Sequence, residues 1–364
     1  MSNDVCEEMF VEIFSRLPSK SLLRFRSLSK WSYACIGGPD FIRLHALRTQ
    51  NKLLMLVHNT PPKNGRHQKK SNVYTLHSED RLPYNRSIYK TRVHYPFNDC
   101  EIVGSCNGIL CVYERRNGDI SLWNPSIRRK LTIRDHVHRY HHRHHRQKFG
   151  FGYDPITDDY KILKLSKPTP FLYTMKTHTW RKIASPPIYP YYRVDSYQCL
   201  FDGALYFAVT VDSDRCYDSY IMRFDLSSEA FTILESPQPS VSWQTGVVTV
   251  IDGCLAVISG KDEVAWIWVR SKEEDQECTS SSSSWYVAFV LKASDYGGGN
   301  TRRVFQLTAI DGLLLDRGFN SNIVIIDPET HVKSRLVGLS YSSYIDGVSM
   351  FTESLGLLGM GTSC

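Results

Sequence analysis

Between Asp4 and Leu17 the apolar residues Met9, Phe10, Ile13, Phe14 and Leu17 recur at i, i+3 and i+4 spacing, which lays one apolar stripe along a helix. Asp4 and Glu7 stand at capping-box spacing at its start, and Pro18 interrupts it. Ser19 then caps a second helix that presents Leu22, Phe25 and Leu28 on one side, with Leu23 widening that face. A third short segment, Lys30 to Ile36, ends at Gly37-Gly38-Pro39. Beyond it Phe41, Ile42, Leu44 and Leu47 predict one more helical turn or two. Fewer than about 50 residues bury too little surface to stand alone, so this prefix requires a neighbour or a partner.

From Lys52 onward helical spacing gives way to short apolar runs separated by Gly, Pro, Asn and Asp, the pattern of an all-β chain. Predicted strands include Leu53–Val57, Ile109–Tyr113, Ile120–Trp123, Tyr160–Leu165, Ala204–Val211, Val247–Ile251, Ala265–Val269, Tyr286–Leu291 and Ile323–Ile326. Asn117-Gly118, between two such runs, predicts a hairpin, because both turn residues tolerate positive φ. The phrases CNGILCVY, FDGALYFAV, IDGCLAVIS and IDGLLLDRG repeat one design: a turn glycine, an apolar strand, a loop, a second strand, then an Asp or Asn turn. Residues 149–165 and 172–183 fill the place of a further unit. The turn glycines Gly108, Gly203, Gly253 and Gly312 then fall at a period of roughly 50 residues, the length of a kelch-like propeller blade. With Leu53 to Val93 as a first, degenerate unit, about six blades are expected. Trp123, Trp180, Trp266 and Trp268 read as blade core, and Asn124-Pro125 and Asp154-Pro155 as turn chemistry.

The order E-I-x-S-R-L-P-x-K-S-L-x-R-F at Glu12 to Phe25, followed by Pro39-Asp40-Phe41, resembles the F-box of plant F-box proteins. Gly104-Ser105-Cys106-Asn107-Gly108-Ile109-Leu110, Leu122-Trp123-Asn124-Pro125 and Phe151-Gly152-Tyr153-Asp154-Pro155 with Asp159-Tyr160-Lys161 resemble the F-box-associated (type 1), kelch-like domain of the same proteins. The resemblance implies a small all-α module at 1–48, three helices that dock onto a Skp-type adaptor, then an all-β, kelch-like propeller at 52–364 that holds a protein substrate. Through the adaptor the chain would meet cullin and RING subunits of a ubiquitin ligase. The implied adaptor contacts are Ile13, Leu17, Pro18, Leu22, Leu23, Phe25 and Leu28, apolar side chains at helical spacing entering an apolar groove. Two positions depart from the family: Val5-Cys6 replaces the usual Leu-Pro, and the usual Lys-Ser-Trp reads Lys30-Trp31-Ser32. The indole thereby moves about 100° around a helix, and Ser32 is expected in the tryptophan seat, leaving it partly filled.

Composition narrows the function classes. The 364 residues are 42% hydrophobic and 22% charged, as in soluble globular chains, and no apolar run reaches the roughly 20 residues that span a bilayer. The acidic start lacks the pattern of a signal peptide, so a cytoplasmic or nuclear location is expected. Ten scattered cysteines without a C-x-x-C pair argue against zinc modules and disulfide scaffolds. A formal charge of +7, largely local, does not point to nucleic acid. Much of it lies in Arg134 to Lys148, where His136, His138, His141, His142, His144 and His145 sit among arginines. Neighbouring arginines repel a cation, so a loop that gains charge below about pH 6.5 is the better reading than a metal site. Arg139 and Arg143 could then meet an acidic substrate patch, and Tyr191 and Tyr192 could anchor a substrate, although buried loop aromatics would read the same. No nucleophile elbow, phosphate loop, metalloprotease helix or dinucleotide fingerprint occurs. Neither catalysis nor a cofactor is therefore expected; a propeller glycosidase would need axial carboxylates, and a non-degradative binding role is indistinguishable from a degradative one at this level.

Overall fold

The computed structural model describes residues 7–49, 52–60, 71–78, 91–93, 100–115, 117–134, 147–188, 192–196, 198–213, 216–237, 245–261, 264–271, 285–292, 309–310, 313–317, 323–326, 333–335 and 344–358. Strands within 52–93 and 309–350 are described by their backbone and pairing. The chain divides into two compact units, Met1–Leu82 with Ile88–His141 and Asp346–Cys364, and Pro83–Ser87 with His142–Ile345.

The first unit opens with four helices, α1 (Glu7–Phe14), α2 (Ser19–Phe25), α3 (Lys30–Gly37) and α4 (Pro39–Arg48). Their limits follow local chemistry. Pro18, extended at φ −57° and ψ 143°, separates α1 from α2, and Gly38, also extended, ends α3 and leads into Pro39 at the first position of α4. Where the apolar pattern suggests a turn or two, α4 runs for ten residues. Asp4, the expected cap of α1, lies outside the described residues.

Then come β1 (Lys52–Thr60), β2 (Ser71–Ser78), β3 (Thr91–Val93), β4 (Cys100–Cys106), β5 (Ile109–Glu114), β6 (Ile120–Asn124) and β7 (Arg129–Ile133). The second unit continues with β8 (Lys148–Asp154), β9 (Asp159–Leu165), β10 (Phe171–Thr174), β11 (Thr179–Lys182), β12 (Tyr192–Val194), β13 (Cys199–Phe201), β14 (Ala204–Ser213), β15 (Cys216–Asp225) and β16 (Phe231–Glu235). It ends with β17 (Thr245–Ile251), β18 (Cys254–Lys261), β19 (Val264–Arg270), β20 (Trp285–Lys292), β21 (Ala309–Ile310), β22 (Leu313–Arg317), β23 (Ile323–Ile326) and β24 (Lys333–Arg335). All the strands predicted from the sequence fall inside these spans. Four sheets, β4–β7, β8–β11, β12–β16 and β17–β20, are described with side chains for most of their residues, and β21–β24 by its pairing. The group β1–β3 takes its remaining strand from far along the chain: β25 (Tyr344–Thr352) lies beside β1.

Repeated turns generate repeated sheets. Asn107-Gly108, Asp202-Gly203 and Asp252-Gly253 each place two residues at positive φ (49° and 70°, 43° and 66°, 49° and 70°), the two-residue hairpin turn that matches strand twist. Gly108 is doubly constrained, because a Cβ there would lie 2.3 Å from the Thr352 carbonyl oxygen. The longer turns after β6, β8, β10 and β15 close on left-handed Arg128, Asp158, His178 and Glu229. Asn124, Asp154 and Asp225 start three of them by accepting the N–H two residues on at 2.9, 3.0 and 3.0 Å. At Asn117-Gly118 the connection is longer than two residues: Gly118 has positive φ, the strands pair from Tyr113 and Ile120, and Asn117 accepts the Asp119 N–H.

Leu163, Leu172, Leu205, Phe207, Met222 and Phe224 form one core across β8–β11 and β12–β16. Gly150 and Gly152 on β8 permit this approach, since a Cβ would meet the side chains of Leu205 at 2.7 Å and Leu226 at 2.6 Å. A second core, including Tyr206, Ile221, Val248 and Val257, joins β12–β16 to β17–β20. Trp123 is buried as expected of blade core, whereas Trp180, Trp266 and Trp268 are half-buried.

Candidate functional site on the helical module

The short helices share a small core of Leu22, Ile36 and Phe41, with Ser15, Ser19, Ser32 and His45 buried among them. Phe10 stacks on Phe14 at 3.6 Å between centroids, and the edges of Trp31 and Phe25 meet this pair at 4.5 and 4.7 Å. The turn between α1 and α2 is tied to α4: buried His45 donates from Nε2 to the Leu17 carbonyl at 3.0 Å, which fixes its tautomer. One turn on, Arg48 reaches the Ser15 hydroxyl at 2.6 Å, the Glu12 carbonyl at 3.1 Å and the Glu12 carboxylate at 2.6 Å. Burial pushes the His45 pKa below its usual value, although the Leu17 carbonyl opposes this. Arg48 and Arg16 hold the Glu12 carboxyl below its ordinary range. Nothing in the apolar spacing marks His45 or Arg48, because their partners lie 28 and 33–36 residues away.

Ser32 is buried, and its polar atoms serve a helix cap. Its N–H donates to Ser29 Oγ at 3.0 Å, its Oγ accepts the Ser29 N–H at 3.1 Å, and the same hydroxyl lies 3.1 Å from the Phe25 carbonyl. This reciprocal capping box starts α3. It frees Trp31 to turn outward against Phe10, so the inverted pair is compatible with a well-formed helix.

The residues implied as adaptor contacts divide by exposure. Ile13 at 52% and Leu28 at 74% stand in solvent; Pro18 is exposed, and Leu17, Leu23 and Phe25 are half-buried. Leu22 is the exception: it is fully buried, so it builds the module and presents no surface. Met9, Trp31, Tyr33 and Leu47 add exposed apolar area that the resemblance does not mark. Between α1 and α3 lies a groove of about 490 Å³ lined by Glu7, Glu8, Val11, Trp31, Ala34 and Cys35. Six exposed large apolar side chains in so small a module leave the surface a partner would cover.

Tyr192 is corrected as a substrate anchor. It is 5% exposed within the core shared by β8–β16, its carbonyl accepts Lys167 Nζ at 2.7 Å, and that ammonium lies 5.0 Å over its ring. A ring so enclosed cannot reach another protein. Tyr191, Arg139 and Arg143, with all six histidines of the basic run, lie outside the described residues. Among the described residues no group of His, Cys, Asp and Glu is placed to hold a metal ion, and no helix is long and apolar enough to cross a membrane.

Four helices ahead of successive antiparallel meanders define a β-propeller protein with an N-terminal helical module. The chain belongs to the family described as "F-box associated beta propeller domain", which it matches over residues 52–294. It is similar to F-box protein CPR1 of Arabidopsis thaliana, 26% identical over 297 residues, with 69% of this chain and 65% of that protein covered. F-box protein At1g52495 of the same plant is 25% identical over 330 residues, covering 83% and 71%. The chain therefore spans just under two thirds of the first relative. A solved nidogen/laminin complex shares the fold at 12% identity and TM-score 0.50, over 83% of this chain and 99% of that one.

Proposed function

We propose that the chain is the substrate-receptor subunit of an SCF-type ubiquitin ligase, docking on a Skp-type adaptor through α1–α4 and holding a protein substrate on its β domain. The observation that carries this reading is the exposed apolar set on the helical module, above all Ile13 and Leu28, in a chain of this family. Cullin and RING subunits follow through the adaptor. The contribution to ubiquitin transfer is proximity, a high effective concentration of substrate near the charged conjugating enzyme. Three of the thiols are held protonated: burial raises Cys35 and Cys111, and pushes Cys199 up to about 12, opposite to the shift a thioester-forming cysteine needs. About six blades and a cytoplasmic or nuclear location belong to the same proposal.

The test is co-purification with a Skp-type adaptor. Wild type is expected to capture it, and Ile13→Glu with Leu28→Glu to weaken capture by roughly 30-fold or more, while the circular-dichroism spectrum stays unchanged because both positions are exposed. Failure of a folded wild-type chain to bind any such adaptor overturns the reading.

A further inference from the structure

Two helix ends in the helical module lack caps of their own. α1 carries no basic residue in its last turn, and α2 starts after Pro18 without a side-chain cap. The chain answers part of this need locally: the N–H groups of Ser15, Arg16 and Leu17 reach the Val11, Ile13 and Phe14 carbonyls at 3.0, 3.2 and 3.0 Å. From its own segment the Glu12 carbonyl receives the Ser15 hydroxyl at 3.2 Å. The Leu17 carbonyl falls between the helices, since α2 begins its ladder one residue on, where Ser21 and Leu22 donate to the Pro18 carbonyl.

α4 supplies both places with donors. Arg48 donates to the Glu12 carbonyl and His45 to the Leu17 carbonyl, across 36 and 28 residues of chain. The Arg48 guanidinium also sets a positive charge at the C-terminal end of α1, where the helix dipole favours one, and shares the Glu12 carboxylate with Arg16. Each acceptor adjoins an implied adaptor contact: Glu12 precedes Ile13, and Leu17 precedes exposed Pro18. Leu28 is held from elsewhere. Its N–H donates to the Phe25 carbonyl at 3.0 Å, and Ser29 beside it caps α3.

We propose that Arg48 and His45 are positioning residues for adaptor docking: α4 caps α1 and the α1–α2 turn from outside, and so sets the direction in which Ile13, Leu17 and Pro18 meet the adaptor. Leu28 is set independently of them. The docking surface then depends on a helix beyond the Glu12 to Phe25 motif, through side chains whose hydrogen bonds stay inside the module. This deepens the receptor reading above and rests on it for naming the adaptor.

The probe is a purified Skp-type adaptor titrated into the full chain, with Ile13→Ala and Leu28→Ala each made in the wild-type and the Arg48→Met backgrounds. Arg48→Met is expected to weaken binding about tenfold. Ile13→Ala is expected to cost about tenfold in wild type and about threefold once Arg48 is gone, whereas Leu28→Ala costs the same factor in both backgrounds. General loosening of the module would couple Arg48 equally to both positions, so equal coupling overturns the proposal. So does an Arg48→Met chain that binds within about twofold of wild type. Arg48→Lys keeps the charge but not the fork that spans the Glu12 and Ser15 acceptors. If Arg48→Met does not fold, the same cycles on Arg48→Lys decide, with the same pattern expected on a loss of about threefold, and wild-type behaviour overturning the proposal. His45→Gln, which keeps a donor, is expected to bind about threefold or more tighter than His45→Leu, which has none; equal binding overturns the role of His45. A wild-type chain that binds no adaptor overturns the receptor reading and this proposal with it, while binding indifferent to Arg48 overturns this proposal alone.

Discussion

At the scale of single residues, buried polar groups rather than the apolar pattern decide how the helical module holds together. His45 is the most consequential, because its buried ring is kept neutral and its one firm hydrogen bond locks α4 to the Leu17 turn. Its folded pKa lies below the unfolded value near 6.5, so the unfolded chain binds a proton first as pH falls. Stability from this group is complete above about pH 6.5 and is lost as pH drops through the lower folded value. A pH titration of the module, read by Trp31 fluorescence, is expected to show loosening on the acid side of 6.5 that His45→Gln blunts. Ser32 gives a second residue-scale prediction. Exchanging Trp31 and Ser32 removes the capping box and forces an indole into a serine-sized buried space, so the exchange is expected to cost about 2 kcal/mol or more by thermal denaturation. That reverses the expectation drawn from the family pattern. The helical spacing announced α1 and α2, whereas the family resemblance put Leu22 on an adaptor face and the structure buries it, and a serine hydroxyl that caps a helix looks like any other serine until its partner is placed.

At the scale of elements, tight turns and a buried ion network join strands and sheets. Gly108 and Gly118 share positive φ but differ in surroundings: a Cβ at Gly118 meets nothing within 4 Å, whereas at Gly108 it meets backbone. Gly118→Ala should cost about 1 kcal/mol for its φ alone. Gly108→Ala is expected to cost several-fold more, which comparison of the two melting temperatures checks. Between β8–β11 and β12–β16, buried Lys161 bridges Asp154 at 2.9 Å, Glu229 at 3.0 Å and the Leu226 carbonyl at 2.6 Å, and Arg181 also pairs with Glu229. Burial works to raise the Asp154 pKa, but hydrogen bonds from Ser227, Thr157, Lys161 and the Ile156 N–H overcome it and hold the carboxyl low. Lys161→Met would strand Asp154 without its cation and should cost about 3 kcal/mol in denaturant unfolding, much of it restored by adding Asp154→Leu. The sequence made these turns legible, since Asp-Gly, Asn-Gly, Asn-Pro and Asp-Pro carry their own conformational chemistry. Lys161 was hidden, because a lysine on an alternating strand reads as a solvent-facing residue until the neighbouring sheet buries it.

At the scale of the molecule, the all-β body and its repeat were plain from strand periodicity, while the long-range closures were not. β25 completes the pairing beside β1, and the segment after it serves the β4–β7 sheet. Buried Asn124 donates to the Ser354 and Gly356 carbonyls at 3.0 and 2.8 Å, and Arg129 donates to the Leu357 carbonyl at 3.1 Å. Truncation before Ser354 takes both carbonyl partners from the Asn124 amide N–H groups, an expected loss of about 1–3 kcal/mol from that group alone. Truncation before Tyr344 also strips β1 of its neighbour, and is expected to abolish the cooperative unfolding transition seen by calorimetry.

The pairing of β25 with β1 also sets a clock on biosynthesis. A ribosome adding about 5–20 residues each second takes on the order of tens of seconds between releasing the first of these strands and the last. Throughout that interval one side of β1 is an open template for any passing strand, after the helical module has already emerged. An early adaptor on that module would therefore meet a nascent chain whose first sheet is still unfinished, and chaperone occupancy in the cell should peak before the final twenty residues appear.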